Sequence, residues 1–285
     1  MKKVLVTGAT GFVGHYVVQE LVKKGCRVIA SSANEEKAVQ KDWFHQVAYI
    51  PFDIANINES VNYYELFQRP DIVIHLAWEG LPNYKSSFHL QDNLPRHVKF
   101  LSNLVKNGLT DLTVTGTCLE YGMQEGLLRE DMQPHPSNPY AIAKNELRNA
   151  LEVLQQEHPF ALKWVRLFYM YGKGQNPNSL LSQLDKALAN GEKVFNMSKG
   201  DQTRDYLPVK NVAAYIVKIA LQNKVTGIIN CCSGEPVSVI DLVRNYLQKN
   251  NKSISLNTGY YPPPDYEPLH FWGDNSKLKT ILAND

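Results

Sequence analysis

The fold is decided by the stretch Val4-Leu-Val-Thr-Gly-Ala-Thr-Gly-Phe-Val-Gly-His15. Its first three residues form a short apolar, β-branched run, which is typical of a buried parallel strand. Glycines follow at the spacing G-x-x-G-x-x-G, and apolar residues then recur at helical spacing until Gly25 ends the pattern. A strand, a glycine-rich turn and a helix in this order can bind the pyrophosphate of a dinucleotide at the helix N-terminus.

Composition limits the kinds of partner that the chain can have. The 285 residues, 44% of them hydrophobic, suit one large α/β unit or a nucleotide domain with a smaller companion. The net charge of +2 gives no electrostatic reason to bind nucleic acid or an anionic membrane. No apolar run approaches a membrane span and the N-terminus leads into a strand, so we expect a cytoplasmic protein. The four cysteines lack metal or disulfide spacing, which predicts reduced thiols and no metal site.

Apolar runs and helical patterns alternate through the first 171 residues. Together they predict an α/β fold with a Rossmann-type doubly wound parallel sheet. Further strands are predicted at 27–31, 47–52, 71–77, 112–115 and 161–168, and helices at 57–67, 88–106 and 139–154.

The second part of the chain changes character and predicts a smaller C-terminal substrate-binding domain over residues 172–285. We expect residues 207–232 to pack back onto the Rossmann domain of residues 1–171. Helices are predicted at 177–190, 209–221 and 239–248, a polar strand or loop region at 194–205, a strand at 227–232 and an irregular, lid-like segment at 260–268.

The end of the second predicted strand bears on the choice of cofactor. An NAD site usually carries Asp or Glu there, accepting a hydrogen bond from the ribose 2′-hydroxyl. Here the sequence is Ser31-Ser32-Ala33-Asn34, whose polar side chains can donate to a 2′-phosphate, with Lys37 adding charge. This favours NADP (NADPH) over NAD, and the alternative is that these are plain loop residues with loose selectivity.

Three further positions lie at predicted strand ends. Asp53 follows the third strand, where we assign it to the adenine amino group. The aromatic loop at residues 78–84 follows the fourth strand, at the expected place of the reactive end of the cofactor. His75 sits inside an apolar strand, which indicates a core histidine and not a catalytic one.

Tyr140 and Lys144 are four residues apart on a helix that Pro139 can begin, so their side chains share one face. A free tyrosine has a pKa near 10. A lysine one turn away and an oxidised nicotinamide would both favour the tyrosinate, which could exchange a proton at a sugar oxygen. The alternative is an ordinary surface pair at i,i+4 spacing.

These motifs, in this order, resemble the extended short-chain dehydrogenase/reductase family, which comprises NAD(P)-dependent nucleotide-sugar epimerases, dehydratases and reductases. The resemblance covers nearly the whole chain. It is carried by residues 7–14, residues 75–77, Thr117 with Tyr121-Gly122, Tyr140-x-x-x-Lys144, residues 165–172 and residues 200–206.

The resemblance implies a set of site residues. Thr117, Tyr140 and Lys144 are the implied catalytic residues, with Thr117 holding the same sugar oxygen as Tyr140. The implied cofactor site comprises Gly8, Thr10, Gly11, Phe12, Val13, Gly14, Ser31, Ser32, Asn34, Asp53, Ile54, Leu76, Ala77, Trp78, Thr115, Tyr140, Lys144 and Leu167. The implied site for a nucleotide-diphosphate sugar comprises Thr117, Cys118, Tyr140, Tyr169, Asn178, Ser179, Leu180 and Arg204. For Arg204 the alternative is a salt bridge to Asp205 or Asp201.

Two departures from the family narrow the function. Its 4,6-dehydratases typically carry Asp-Glu after the catalytic Thr, whereas Cys118 and Leu119 stand here, so dehydration is disfavoured. The usual Asn that touches the nucleotide sugar is replaced by Tyr169, which indicates an unusual sugar pocket.

We therefore interpret the chain as an NADPH-dependent reductase of a 4-keto-6-deoxy nucleotide sugar, such as dTDP-4-keto-6-deoxyglucose, in deoxysugar and surface-polysaccharide biosynthesis. The alternatives are an NAD-dependent nucleotide-sugar 4-epimerase and a non-catalytic NADP-binding sensor. A sensor of this family usually lacks the Tyr or the Lys, and both are present. The resemblance further implies a homodimer through the helices predicted at 88–106 and 140–154.

Overall fold

The computed structural model describes residues 1–262 and 267–283. Over these residues the strands are β1 (Lys3–Thr7), β2 (Arg27–Ser31), β3 (Ala48–Tyr49), β4 (Ile72–His75), β5 (Asp111–Thr117), β6 (Gly126–Leu128), β7 (Ala161–Leu167), β8 (Tyr169–Tyr171), β9 (Val194–Asn196), β10 (Thr203–Pro208), β11 (Gly227–Cys231), β12 (Pro236–Ser238), β13 (Ser255–Asn257) and β14 (Phe271–Gly273). The α-helices are α1 (Phe12–Lys23), α2 (Glu35–Val39), α3 (Tyr63–Leu66), α4 (Leu94–Lys106), α5 (Pro139–Glu157), α6 (Leu180–Ala189), α7 (Val209–Leu221), α8 (Val239–Lys249) and α9 (Ser276–Leu282).

A parallel sheet forms the centre of the molecule. Within the described ranges it has seven strands in the order β11-β7-β5-β4-β1-β2-β3, and every neighbouring pair in it is parallel. The order reverses between β1 and β4, where ligands bind in doubly wound sheets. The predicted α/β, Rossmann-type fold is confirmed.

Helices cover both faces of this sheet because side chains of a strand alternate between its faces. Val4 and Val6 of β1 belong to a core cluster with Leu21 of α1 and Ile216 of α7. Leu5, between them, packs into the opposite cluster with residues of α4 and α5. The strands read as continuous apolar runs because both of their faces are buried.

Two smaller sheets and a third apolar cluster lie in the second part of the chain. The strands β12, β10 and β8 form one sheet, and β13 pairs with β9 in another. The helices α6 and α8 share a cluster that includes Leu184 and Val243. The chain also returns to the main sheet, where β11 pairs with β7 and α7 packs in the same core cluster as α1.

Some predicted elements are shorter than expected. The helix predicted at 57–67 is α-helical only in α3, because the side chains of Asn58 and Asn62 accept hydrogen bonds from nearby backbone N–H groups and form turns. The strand predicted at 47–52 is reduced to the two residues of β3. The helix predicted at 88–106 begins with one π-helical turn, His89–Asn93, which precedes α4 and its Pro95.

Other predictions of local structure agree with the model. Helix α7 has the predicted bounds, and Ser238 caps α8 as expected. The four cysteines are free, and those at 118, 231 and 232 are buried. Part of the lid-like segment predicted at 260–268 lies outside the described residues. In the part of the chain that is described, no helix combines the length and apolarity needed to cross a membrane.

A buried carboxylate fixes the place where β5 ends. Glu120 is fully buried and accepts hydrogen bonds from the Thr117 backbone N–H at 2.8 Å and from the Trp164 indole at 3.1 Å. Its other oxygen pairs with the Arg166 guanidinium at 2.8 Å, inside the same core. Gly116 has no side chain here because a Cβ would come 2.3 Å from the Trp164 ring nitrogen. Both oxygens of the buried Glu120 carboxylate therefore have a hydrogen-bond or ion-pair partner.

We expect Glu120→Ala to lower the free energy of unfolding by about 3–5 kcal/mol, since it leaves the Arg166 charge buried without its partner. Urea denaturation of the two proteins measures the difference. The matched control is Glu65→Ala, which breaks an exposed ion pair with Arg69 and should change stability little. Equal effects of the two substitutions would contradict this role of the buried pair.

Candidate active site

A cavity of about 530 Å³ opens at the carboxyl ends of the central strands, between the glycine-rich turn and the start of α5. It joins side chains from β5, α5 and the loops after β4 and β7. Its lining contains the predicted residues Gly8, Gly11, Phe12, Val13, Gly14, Leu76, Trp78, Thr115, Thr117, Cys118, Tyr140, Lys144, Leu167 and Tyr169. The predicted catalytic residues and part of the predicted cofactor site therefore line one cavity.

The glycine-rich turn is shaped for close backbone approach. Gly8 has φ +68°, and a Cβ at Gly14 would lie 2.1 Å from the Gly8 carbonyl oxygen. Helix α1 begins after Gly11 with no side-chain cap and no acidic residue in its first turn. Its N-terminal N–H groups and its dipole are thus suited to an anion such as a dinucleotide pyrophosphate. The turn therefore fits a dinucleotide cofactor.

The end of β2 carries no carboxylate at position 32. The Ser32 hydroxyl is hydrogen bonded to the Tyr49 hydroxyl at 3.0 Å. Burial raises the pKa of Tyr49, and the Glu35 carboxylate at the start of α2 raises it further. The negative charge of Glu35 therefore acts on the Ser32–Tyr49 pair. The side chains of Asn34 and Asp53 accept hydrogen bonds from backbone N–H groups and cap the turns that follow them.

Tyr140 and Lys144 are held at the start of α5. Asn138 caps this helix by accepting from the Ala141 N–H at 3.0 Å. Tyr140 lines the same cavity as Thr117, and Lys144 Nζ donates to the Thr115 carbonyl at 2.8 Å. Both side chains are buried, which excludes the alternative of an exposed surface pair.

Burial controls the ionisation of these two groups. It raises the pKa of Tyr140 well above 10, helped by Tyr84, Glu120 and Cys118, and the Thr117 side chain opposes the rise. Burial also lowers the pKa of Lys144 to about 7. Without cofactor the phenol is thus protonated at neutral pH, because loss of solvation disfavours its charged form. The tyrosinate expected beside both Lys144 and an oxidised nicotinamide stays a prediction.

The loop after β4 supplies an aromatic wall that the sequence located only roughly. The Trp78 indole N–H donates to His89 at 3.2 Å, and its ring stacks on His97 with centroids 4.6 Å apart. The Tyr140 N–H donates to the Tyr84 carbonyl at 3.1 Å, which ties this loop to α5. Lining residues that are absent from the predicted set of site residues are Leu81, Pro82, Tyr84, Gly116, Leu119, Phe168, Met170, Gln175 and Asn176.

His75 is a core residue, as predicted. It is fully buried, and its ring nitrogens are hydrogen bonded to Thr7 at 2.8 Å and to His97 at 2.7 Å. Burial lowers the pKa of His75 to about 3, so the ring is neutral.

A second cavity of about 640 Å³ adjoins the first and shares Tyr84 and Tyr169 with it. The predicted substrate residues Asn178, Ser179 and Leu180 line this second space. The two cavities together run from the glycine-rich turn to the N-terminus of α6.

Arg204 lies outside both linings. Its guanidinium pairs with Glu267 at 2.8 Å and donates to the Leu269 carbonyl at 2.7 Å. The Tyr169 hydroxyl donates to the other oxygen of the same carboxylate. A salt bridge had been considered with Asp205 or Asp201, but the partner is Glu267, because Asp205 faces the backbone N–H groups of Ser233 and Gly234.

Several other predicted residues are also absent from the two linings. They are Thr10, Ser31, Ser32, Asn34, Asp53, Ile54 and Ala77. The same holds for Glu120, which lies beneath the cavity; the Thr117-x-x-Glu120 spacing, typical of a capping box, is the sequence signal that could have marked it. Among residues 1–262 and 267–283, no group of three or more His, Cys, Asp or Glu side chains could hold a metal ion.

Known proteins are similar to this chain over nearly its whole length. A dTDP-6-deoxy-L-talose 4-dehydrogenase (NAD(+)) from Aggregatibacter actinomycetemcomitans is 30% identical over 271 residues, which cover 95% of this chain and 98% of that protein. A GDP-6-deoxy-D-talose 4-dehydrogenase from the same organism is 26% identical, covering 99% of this chain and 92% of that protein.

A solved structure agrees with the fold. The UDP-glucuronic acid 4-epimerase from Bacillus cereus, in complex with UDP-glucuronic acid and NAD, matches with a TM-score of 0.81 and 25% identity. The match covers 99% of this chain and 93% of that one. Residues 4–232 match the model of the NAD dependent epimerase/dehydratase family. With its glycine-rich turn and its buried Tyr140 and Lys144, the chain belongs to that family and is an enzyme of the extended short-chain dehydrogenase/reductase type.

Proposed function

We propose that the protein reduces the C4 ketone of a 4-keto-6-deoxy nucleotide sugar, in the making of a deoxysugar. The observation that carries this proposal is the buried Tyr140, which lines the same cavity as Thr117, Lys144 and the glycine-rich turn. The relative whose name gives it a dTDP-6-deoxy-L-talose 4-dehydrogenase activity supports the same carbon and the same sugar class.

When bound, the reduced nicotinamide supplies the hydride for C4. Tyr140 donates its phenolic proton to the carbonyl oxygen, which becomes the C4 hydroxyl, and solvent then restores the proton. Thr117 holds that oxygen with its own hydroxyl. The raised pKa of Tyr140 keeps the phenol protonated before the reaction, as a proton donor requires. The Lys144 ammonium, four residues along the same helix, stabilises the phenolate that is left.

The cavity lining supports reduction over dehydration. Cys118 and Leu119 both line the cavity at the positions where a dehydratase of this family carries its acid and base. Burial raises the pKa of the Cys118 thiol, and leucine cannot move a proton. The carboxylate of Glu120 is turned into the core and paired with Arg166.

The shape of the two cavities supports a nucleotide-diphosphate sugar as substrate. Leu81, Pro82 and Cys118 form an apolar part of the wall near Tyr140, which suits the methyl group of a 6-deoxy sugar. A C6 hydroxyl buried there without a partner would cost about 1–3 kcal/mol. Asn178 and Ser179 in the second cavity are proposed to face the diphosphate. Arg204 can join them only if its pair with Glu267 opens.

The choice of cofactor follows from the end of β2. We propose NADPH, because position 32 has a serine in place of the acid that repels a 2′-phosphate. The Glu35 charge near Tyr49 acts in the opposite direction, and the similar 4-dehydrogenase is named for NAD(+). The homodimer through α4 and α5 stays a prediction.

A second candidate is a nucleotide-sugar 4-epimerase. The UDP-glucuronic acid 4-epimerase structure, with its TM-score of 0.81, favours it. An epimerase keeps one cofactor molecule bound and shows no net oxidation of it, whereas a reductase uses one reduced cofactor in each turnover.

Mixing the purified protein with NADPH and dTDP-4-keto-6-deoxyglucose should cause loss of reduced-cofactor fluorescence and formation of a sugar with a C4 hydroxyl. The control is the same mixture with dTDP-glucose, which has no ketone. Co-purified NAD that does not exchange, with interconversion of C4 epimers and no loss of fluorescence, would establish the epimerase instead.

Tyr140→Phe should lower kcat by about 10²–10⁴, because the proton donor is lost while the ring remains. Binding of NADPH, followed by its fluorescence, should stay close to that of the unaltered protein. The control is Tyr16→Phe, whose hydroxyl donates to the Lys173 carbonyl away from this cavity. Full activity of Tyr140→Phe would refute the assigned role, whereas a non-catalytic sensor would bind NADPH and show no turnover in either protein.

Ser32→Asp should lower the ratio of kcat/KM for NADPH to that for NADH by about tenfold or more, since a carboxylate repels the 2′-phosphate. Glu35→Gln should raise the same ratio, because it removes the charge near the Tyr49–Ser32 pair. Glu36→Gln, at the next exposed position, is the matched control and should leave the ratio unchanged. If Ser32→Asp does not alter the ratio, position 32 does not select the cofactor.

A further inference from the structure

The charged end of Lys144 rests on the face of an aromatic ring. Its Nζ lies 4.1 Å from the centroid of the Trp78 ring, and the side chain is buried. This distance is well within the range of a cation–π interaction, which strengthens when the pair is removed from water. Tryptophan is the aromatic side chain that attracts a cation best.

An ammonium has three N–H donors, and the structure accounts for two directions around it. One N–H donates to the Thr115 carbonyl at 2.8 Å, and the Trp78 ring occupies another side. The remaining direction is left for a ligand in the cavity that both residues line. In this position the Lys144 ammonium is preorganised, and its third N–H can donate to a hydroxyl of the cofactor.

The other ionisable groups around Lys144 give it little support. Among those that act on it electrostatically, Glu120 is the anion, and its carboxylate is already paired with Arg166. The neighbouring histidines are His75, His89 and His97, and burial lowers the pKa of each of them, so they are neutral at pH 7. On its own helix, Tyr140 is a protonated phenol at that pH. The Trp78 ring is therefore a major favourable partner of the buried charge.

Trp78 is itself fixed by its neighbours. It stacks on His97, and its indole N–H donates to His89 at 3.2 Å. Because these two contacts already restrict the Trp78 ring, its contact with Lys144 costs little further conformational entropy.

We propose that Trp78 is a positioning residue. Its ring holds the Lys144 ammonium by a cation–π interaction and thereby directs the third N–H of that ammonium towards the cofactor. The catalytic consequence rests on the proposed function, whereas the interaction itself does not. Without the ring, the buried charge loses a stabilising contact, and Lys144 should release its proton at lower pH.

Fluorinated tryptophans test this without altering the size of the core. Each added fluorine withdraws electron density and weakens the attraction of the ring for a cation. In cofactor-free protein labelled with [ε-13C]lysine, the Lys144 signal, assigned by its loss in Lys144→Met, should titrate at progressively lower pH with 5-fluoro-, difluoro- and trifluorotryptophan. We expect a total decrease of about one unit in the pKa of Lys144.

Trp78→Phe is the matched control, because the same analogues still replace Trp43, Trp164 and Trp272. In that background the pKa of Lys144 should start lower and should not change with fluorination. If the pKa of Lys144 does not change with fluorination in the unaltered sequence, the proposal is overturned. It is also overturned if this pKa falls equally with fluorination in Trp78→Phe. If the pKa of Lys144 falls stepwise with fluorination but the protein has no ketoreductase activity, the proposed function is refuted and the Trp78–Lys144 interaction is supported.

Discussion

The Glu120 carboxylate in the dry core is the constraint on which the rest of the site depends. A buried charge is tolerated only when donors surround it, and here they come from the end of β5 and from Trp164 and Arg166 of β7. Since one donor is the Thr117 backbone N–H, the same carboxylate determines where β5 ends and where the Thr117 side chain stands. The Thr117 residue that shares the cavity with Tyr140 is thus placed by a charge below the cavity.

Helix α5 provides the second fixed point. Asn138 and Pro139 begin the helix at the cavity wall, so Tyr140 and Lys144 enter the site in the first two turns. The backbone of Tyr140 also bonds to Tyr84, and the loop after β4 is thereby joined to the catalytic helix. Burial that makes the cavity dry also raises the pKa of Tyr140 and lowers that of Lys144, because both charged forms lose solvation.

The site contains the motifs that resemble the family, and it differs from the family in the residues that form the cavity wall. The glycine-rich turn, Thr117 and the Tyr140–Lys144 pair have the expected arrangement. The wall is more aromatic and apolar than a hexose with many hydroxyl groups would need, since Trp78, Tyr84 and Tyr169 all face the cavity. The Tyr169 hydroxyl donates to Glu267, and this contact links the cavity wall to the Arg204–Glu267 pair.

The sequence by itself determined the fold and the place of Tyr140 and Lys144 on one helix, because strand periodicity, the glycine spacing and the Tyr140–Lys144 separation are local patterns with local causes. It overestimated the helix at 57–67, where asparagine side chains compete for the backbone. Only the tertiary structure decided that Glu120 is paired with Arg166, that Arg204 is paired with Glu267 and that Lys144 lies on Trp78. These contacts join residues far apart in the chain or depend on burial, and burial also sets the ionisation of the site, so no pattern along the sequence could show them.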